Sequence, residues 1–269
     1  MTGPVSFADS LGLAGLRGAT LTEVDAAASL QHRVDRKYLV LLLTARWFVA
    51  ALAPTHHVLD LGGRRTTEYH SMYFDTPGLS AWRAHAQGRR RRWKVRTRLY
   101  AEDRLCRAEV KTKDGRGATV KHAYTIQAEE YGRLGTRAAA FVDDVFRSDG
   151  VPVDTASLSP AAEIRCVRAA LADLDGGSRV TLDGRLSCHR GHAAAALRHD
   201  LVLVETKGGP RPAAADRLLI KLGARPISLS KYLIGQALLI PGLPDHDVRR
   251  IARNCFHTLV CTEPPVVLW

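Results

Sequence analysis

Polar and apolar side chains alternate with a period of two along RRRRWKVRTRLY, residues 89–100. Arg92, Lys94, Arg96 and Arg98 fall on one face, and Trp93, Val95, Thr97 and Leu99 on the other. A disordered basic tail has no reason to interleave Trp, Val and Leu with its cations, so this segment is a strand. Seven more stretches carry strand patterning: RVDRKYLVL (33–41), RTTEYHSMYFD (65–75), CRAEVKTK (106–113), ATVKHAYTI (118–126), AEIRCVRAAL (162–171), RVTLDGRLSC (179–188) and DLVLVETKG (200–208). Turn signals at DGRG (114–117) and DLDGGS (173–178) make neighbouring strands antiparallel. Helical patterning covers 44–53, a short stretch beginning near Pro77, 127–147, about 212–222 and the chain after Ile227. Eight antiparallel strands with helices between them predict an α+β fold, and an eight-stranded barrel is a size whose interior holds a ligand.

Charge sharpens this picture. Lys and Arg number 39 against 27 Asp and Glu, a net charge of +12, and a field of that sign attracts nucleic acid, phosphates or anionic lipid without choosing among them. The cations recur at alternate strand positions: Arg33 and Lys37 with Asp35, Arg107, Lys111 and Lys113 with Glu109, and Lys207 with Glu205. Solvated on a wet face they would be ordinary. Gathered on one face they are unfavourable unless an anion and a metal complete the site. No recognisable nucleic-acid motif is present and aromatic content is 6%, so no specific nucleic-acid partner is expected. The five cysteines are an odd number without CxxC spacing, which suggests neither disulfides nor zinc and fits a reducing cytoplasm. No signal peptide is expected at MTGPVSFADS, and the apolar run 38–54 is broken by Thr44 and Arg46, too short to span a bilayer. The eleven histidines, His56 and His57 among them, show no ligand spacing and read as surface residues.

Seven segments occur in order: RVDRKY (33–38), MYFDT (72–76), KVRTRLY (94–100), AEVKTK (108–113), RVTLDGRL (179–186), LVETKGG (203–209) and SLSKYLIG (228–235). With them the chain resembles the VTC domain, the polyphosphate polymerase branch of the triphosphate tunnel metalloenzymes. The resemblance implies an eight-stranded antiparallel β-barrel tunnel with helices packed outside, its basic lumen binding triphosphate and a carboxylate holding a divalent metal. It also implies one domain over 1–269, with a motif-bearing core at about 33–235 and a C-terminal helical tail at about 241–269. In the hydrolase and cyclase branch the first strand looks like ExExK; R-V-D-R-K here is similar to the polymerase branch.

The roles implied are a phosphotransferase's. Arg33, Lys37, Arg96, Arg98, Lys111 and Lys231 are expected to be catalytic, neutralising charge on a transferring phosphoryl group. Lys94, Lys121, Arg168, Lys207 and Ser230 are expected to bind substrate, with Tyr38, Tyr73 and Tyr100 placed to stack on a nucleotide base and Tyr73 equally suited to the core. Arg grips phosphate oxygens bidentately where Lys acts as a point charge. Glu205, and second to it Glu109, would hold Mn2+ or Mg2+. The expected partners are ATP and inorganic polyphosphate or triphosphate, and a membrane-protein partner that receives the polymer stays open. Two departures bear on affinity: Cys166 stands where the family often has Tyr, and Lys-His-Ala at 121–123 carries fewer cations than the related Lys-Arg-Arg.

Overall fold

The computed structural model describes residues 5–27, 34–115, 118–243 and 248–260. Its strands are β1 (Gly18–Ala19), β2 (Val34–Leu41), β3 (His57–Leu59), β4 (Thr67–Asp75), β5 (Arg92–Tyr100), β6 (Leu105–Lys113), β7 (Thr119–Ile126), β8 (Ser159–Ala172), β9 (Arg179–Arg190), β10 (Ala193–Leu197), β11 (Leu201–Gly208) and β12 (Phe256–Val260). The helices are α1 (Phe7–Leu11), α2 (Leu21–Ala27), α3 (Leu42–Leu52), α4 (Ser80–Ala86), α5 (Thr136–Ser148), α6 (Ala214–Lys221), α7 (Lys231–Leu239) and α8 (Arg249–Cys255). The class is α+β with a large, mainly antiparallel sheet.

The expectation of an eight-stranded closed barrel is corrected. The eight predicted strands are present as β2, β4 to β9 and β11, but the described residues form twelve, and their pairing does not close: β2 pairs only with β11, and β7 only with β6. The four additional strands are short, and their sequences, such as Gly-Ala in β1 and AAAAL in β10, carry no alternation to announce them. In the predicted helical tail, helix α8 is followed by a strand, β12. Among the described residues no helix is long and apolar enough to cross a membrane.

The chain divides into two compact units, and β8 and β9 each contribute to both. In the first unit (Met1–Thr67, Cys166–Leu186, Leu197–Ser228) β11 lies between β2 and β9. One side of these strands is apolar: Tyr38, Val40, Val180, Leu182, Val202 and Val204 pack with Phe48, Val49 and Leu52 of α3 and Leu219 of α6. Asp216 anchors α6 to this layer, accepting hydrogen bonds from Tyr38 Oη (2.9 Å), Thr206 Oγ1 (2.5 Å) and the Ala213 backbone N–H (2.9 Å). In the second unit (Glu68–Arg165, Ser187–Ala196, Leu229–Trp269) β4, β5, β6 and β7 form a meander. Its apolar side, Phe74, Trp93, Val95 and Val110, packs on Val142, Val145 and Phe146 of α5. In both units, then, helices cover the apolar face and leave the charged face on the other side.

Two glycines permit close approaches. A Cβ on Gly235 of α7 would lie 3.1 Å from Cys188 Sγ and from Ile164 Cδ1, so the helix sits directly on the sheet. A Cβ on Gly184 of β9 would lie 2.4 Å from the Phe7 ring, which α1 inserts into the core. Overpacking at such a point costs about 1–3 kcal/mol. Gly184→Ala is therefore expected to lower the urea midpoint by a corresponding amount. In a Phe7→Ala background the same substitution should be nearly neutral, and an equal cost in both backgrounds would show that the ring is not the obstacle.

Candidate functional site

The charged side of the second unit follows from register. Facing the same way are Arg92, Lys94, Arg96 and Arg98 of β5, Arg107, Glu109, Lys111 and Lys113 of β6, and Lys121 of β7, eight cations to one carboxylate. Cation stands directly opposite cation at Arg92–Lys113, Lys94–Lys111, Arg98–Arg107 and Lys111–Lys121, pairings that destabilise a sheet. Solvent screens them unevenly: the Arg98 side chain is only 12% exposed, whereas Lys111 and Lys121 are exposed. Arg89, Arg90 and Arg91, just before the strand, are exposed.

Glu109 is the counter-charge. Its carboxylate is 2% exposed, receives Arg96 Nε at 2.6 Å on Oε2 and Lys121 Nζ at 2.5 Å on Oε1, and has Arg98 at 4.0 Å. Burial raises its pKa, but Arg96, Arg98 and Lys121 outweigh burial and hold it well below the usual carboxylate range. Arg96 also donates to Tyr73 Oη (2.8 Å), and Arg98 to Ser71 Oγ (3.1 Å), so β4 fixes both guanidinium groups. Burial disfavours the Tyr73 phenolate. Arg96, Arg98 and Lys231 more than offset that and bring its pKa below the ordinary value.

The start of α7 is set on this same unit. Tyr232 donates to Asp75 Oδ2 (2.6 Å) and stacks on Tyr73 with ring centroids 4.9 Å apart. Asp75, fully buried, also accepts the backbone N–H groups of Ala81 and Trp82 at the start of α4. Thus anchored, Ser230 caps α7 through the Leu233 N–H and accepts from Lys94 Nζ at 3.1 Å, and Lys231 is the first residue of the helix. His85 of α4 stays neutral because burial, then Lys94, Arg92 and Lys111, push its pKa down to about 2. Tyr100 meets Tyr69 edge-on at 4.8 Å with Arg107 over its ring.

The first unit carries a smaller charged face. Register aligns Lys37, Glu205 and Thr181, and beside them Asp35, Lys207 and Arg179. Lys37 and Lys207 each reach Glu205 Oε1 at 3.9 Å. Arg168 forks onto the buried Asp183 at 2.6 and 2.7 Å, so its bidentate face is engaged within the protein. Arg33 lies outside the described residues.

Sequence reasoning erred at specific points. Tyr38 is fully buried on the apolar side with its hydroxyl on Asp216; strand parity sets it opposite Lys37, and it has no ring face to offer a base. His56 is 1% exposed rather than a surface residue. Tyr73 serves the cationic face through its hydroxyl on Arg96 and stacks on Tyr232 rather than on a base, and Ser71 and Asp75 were missed, although the parity of β4 sets all three on one face.

The carboxylates differ in fitness for a metal. Both oxygens of Glu109 are occupied by cations. Glu205 has Lys37 and Lys207 at 3.9 Å, and Thr181 opposite it has a buried hydroxyl oxygen without a hydrogen-bond partner. Among the described residues no group of three or more His, Cys, Asp or Glu could hold a metal. A single carboxylate such as Glu205 suits a hard divalent ion that takes few protein ligands and fills its other positions with phosphate oxygens and water.

Removing the counter-charge tests the cationic face. A carboxylate whose pKa is depressed by folding adds stability that is present above its unfolded pKa, near 4.5, and is lost as pH falls through the folded value. Glu109→Gln should cost about 3–5 kcal/mol at pH 7 and flatten the acid limb of the stability profile below pH 4.5. Tripolyphosphate should raise the thermal midpoint of this variant more than that of the parent. An unchanged midpoint at pH 7 would show that the cations need no counter-ion.

Fold comparisons return distant structures. A candidate adenylyl cyclase from Hippeastrum, described as having a dominant triphosphatase activity, is 17% identical, with 78% of this chain and 97% of that one covered at a TM-score of 0.49. A candidate adenylate cyclase from Bacillus halodurans is 14% identical, with 74% and 94% covered at 0.48. A third, from Vibrio parahaemolyticus, is 15% identical, with 74% and 95% covered at 0.44. No match was found among curated proteins. The sequence model of the VTC domain matches residues 32–240, most of the chain, and the protein belongs to the VTC domain family.

Proposed function

We propose that this protein is a metal-dependent polyphosphate polymerase, transferring the γ-phosphoryl group of ATP to the end of a growing inorganic polyphosphate chain. The observation that carries this reading is the set of cation–cation pairs set in register across β5, β6 and β7. A sheet accepts such pairs when a multiply charged anion lies over them, and a triphosphate or its polymer is such an anion. Membership of the VTC domain family supports the same substrate class. The whole chain would act as one catalytic domain.

In this reading Arg96 and Arg98, held by Tyr73 and Ser71, grip non-bridging oxygens, and Lys94, Lys111, Lys121, Lys207 and Lys231 add point charges. Arg33 and Lys37 belong to the same set, and Ser230 offers a hydroxyl at the mouth of α7. Glu109 orients Arg96 and Lys121 rather than binding metal, and Arg168 stiffens β8 against β9 through Asp183. Glu205 would hold Mn2+ or Mg2+, which supplies charge neutralisation at the phosphate oxygens. No protein nucleophile is required: aligning the acceptor phosphate with the γ-phosphorus and stabilising the spreading negative charge provide most of the rate. ADP departs, and the polymer end becomes the next acceptor.

Incubation of the purified protein with ATP and Mn2+ or Mg2+, resolving ADP, free phosphate and polymer, tests this directly. ADP with polymer is expected. Arg98→Ala should reduce transfer by about 100- to 1000-fold, whereas Arg89→Ala, at an exposed position, should cost little. Glu205→Gln should abolish turnover but leave metal-free triphosphate binding intact or tighter. Free phosphate in place of polymer would make the protein a triphosphate hydrolase. Equal, modest, salt-dependent losses in Arg98→Ala and Arg89→Ala would make it a polyanion-binding module.

A further inference from the structure

Helix α3 has one side in the core and one side without a partner. Ala45, Phe48, Val49 and Leu52 are buried. The opposite stripe, Leu43, Arg46, Trp47 and Ala50, follows the i, i+3, i+4, i+7 spacing of a single helix face and is exposed. Trp47 is 57% exposed and Leu43 is 56% exposed, with Leu41 at 51% just before the helix. Three large apolar side chains within seven residues are more than the scattered apolar exposure of an ordinary surface.

The charges around the stripe select what covers it. Helix α3 contains no carboxylate at all. On α6, which packs beside α3 in the same unit, the outward residues are Arg217, Ile220 (50% exposed) and Lys221, and the helix's only acid, Asp216, is buried beneath it. Asp200, whose carbonyl accepts the first N–H of α3, is paired by Nε and Nη2 of Arg198, and Asp9 of α1 accepts from Ser6 Oγ. A second copy docked through this face about a two-fold axis would set Arg46, Arg217 and Lys221 against themselves. Trp and Leu between Arg and Lys side chains match the boundary between acyl chains and anionic headgroups.

We propose that the outer face of α3 and α6 binds the surface of an anionic membrane, with Trp47 and Leu43 inserted at the headgroup level and Arg46, Arg217 and Lys221 on the lipid phosphates. This surface is separate from the residues assigned to phosphoryl transfer and does not depend on that assignment. It makes the protein a peripheral lipid-surface binder with no spanning segment required.

Flotation of the full chain with phosphatidylcholine vesicles, with and without phosphatidylglycerol, tests the proposal. Binding is expected only to the anionic vesicles, and in a Trp269→Phe background brominated acyl chains should quench Trp47 emission, since the two remaining tryptophans, Trp82 and Trp93, are buried. Trp47→Ala with Leu43→Ser should weaken partitioning by about tenfold or more while leaving ATP turnover and thermal midpoint unchanged, because both residues are exposed. Binding that survives this double substitution but falls with Arg98→Ala would mean vesicles are attracted only to the phosphate-binding cations, and the proposal fails. It fails equally if anionic vesicles do not bind. If the parent sediments as a dimer that the double substitution dissociates, the face belongs to a second copy instead.

Discussion

Repulsion between registered cations is the constraint on which the second unit depends. Four cross-strand pairs place Lys or Arg opposite Lys or Arg, and one carboxylate, Glu109, answers them from within the sheet. Such a face cannot be stabilised by its own contacts. It exists because β4 and α5 hold the strands from the other sides: Phe74, Trp93, Val95 and Val110 bury against α5, and Tyr73 and Ser71 fix the guanidinium groups of Arg96 and Arg98. Hydrophobic packing on one side of the sheet thereby maintains an unfavourable charge density on the other. That is preorganisation in its usual sense, with reorganisation completed during folding rather than during reaction.

The first unit solves a related problem with fewer charges. Its β2, β11 and β9 strands share the same division into an apolar side under helices and a polar side carrying Lys37, Glu205 and Lys207. Here Arg168 and Asp183 form a buried two-point ion pair, while Lys37 and Lys207 stand at 3.9 Å from Glu205. Carboxylates of like chemistry thus take different roles according to how many donors surround them.

Period-two alternation was legible for the eight long strands, most of which bury one face so that a slip would invert it; β7, largely exposed on both faces until Ile126, is the exception. It could not reveal β1, β3 or β10, where two or three residues, or a run of alanines, form a strand only because a neighbour supplies hydrogen bonds. The same parity that grouped Arg96 with Arg98 also places Tyr38 opposite Lys37, so assigning both to one ligand contradicted the pattern itself. What the sequence withheld was register. Nothing local to Glu109 indicates that Lys121 will stand beside it, nothing near Arg168 names Asp183, and the burial of His56 arises in the turn that closes α3, whose backbone returns onto the helix.

The aromatic pair at the start of α7 has a mechanical consequence. Tyr232 is clamped at its hydroxyl by Asp75 and along its ring by Tyr73, whose own hydroxyl holds Arg96. Asp75 in turn fastens the first turn of α4. These contacts form a rigid linkage from one helix through two stacked rings to a guanidinium group, with no aliphatic side chain in it to absorb displacement. A shift of α7 along the sheet therefore cannot stay local: it levers the Tyr73 ring and, with it, the direction in which Arg96 points.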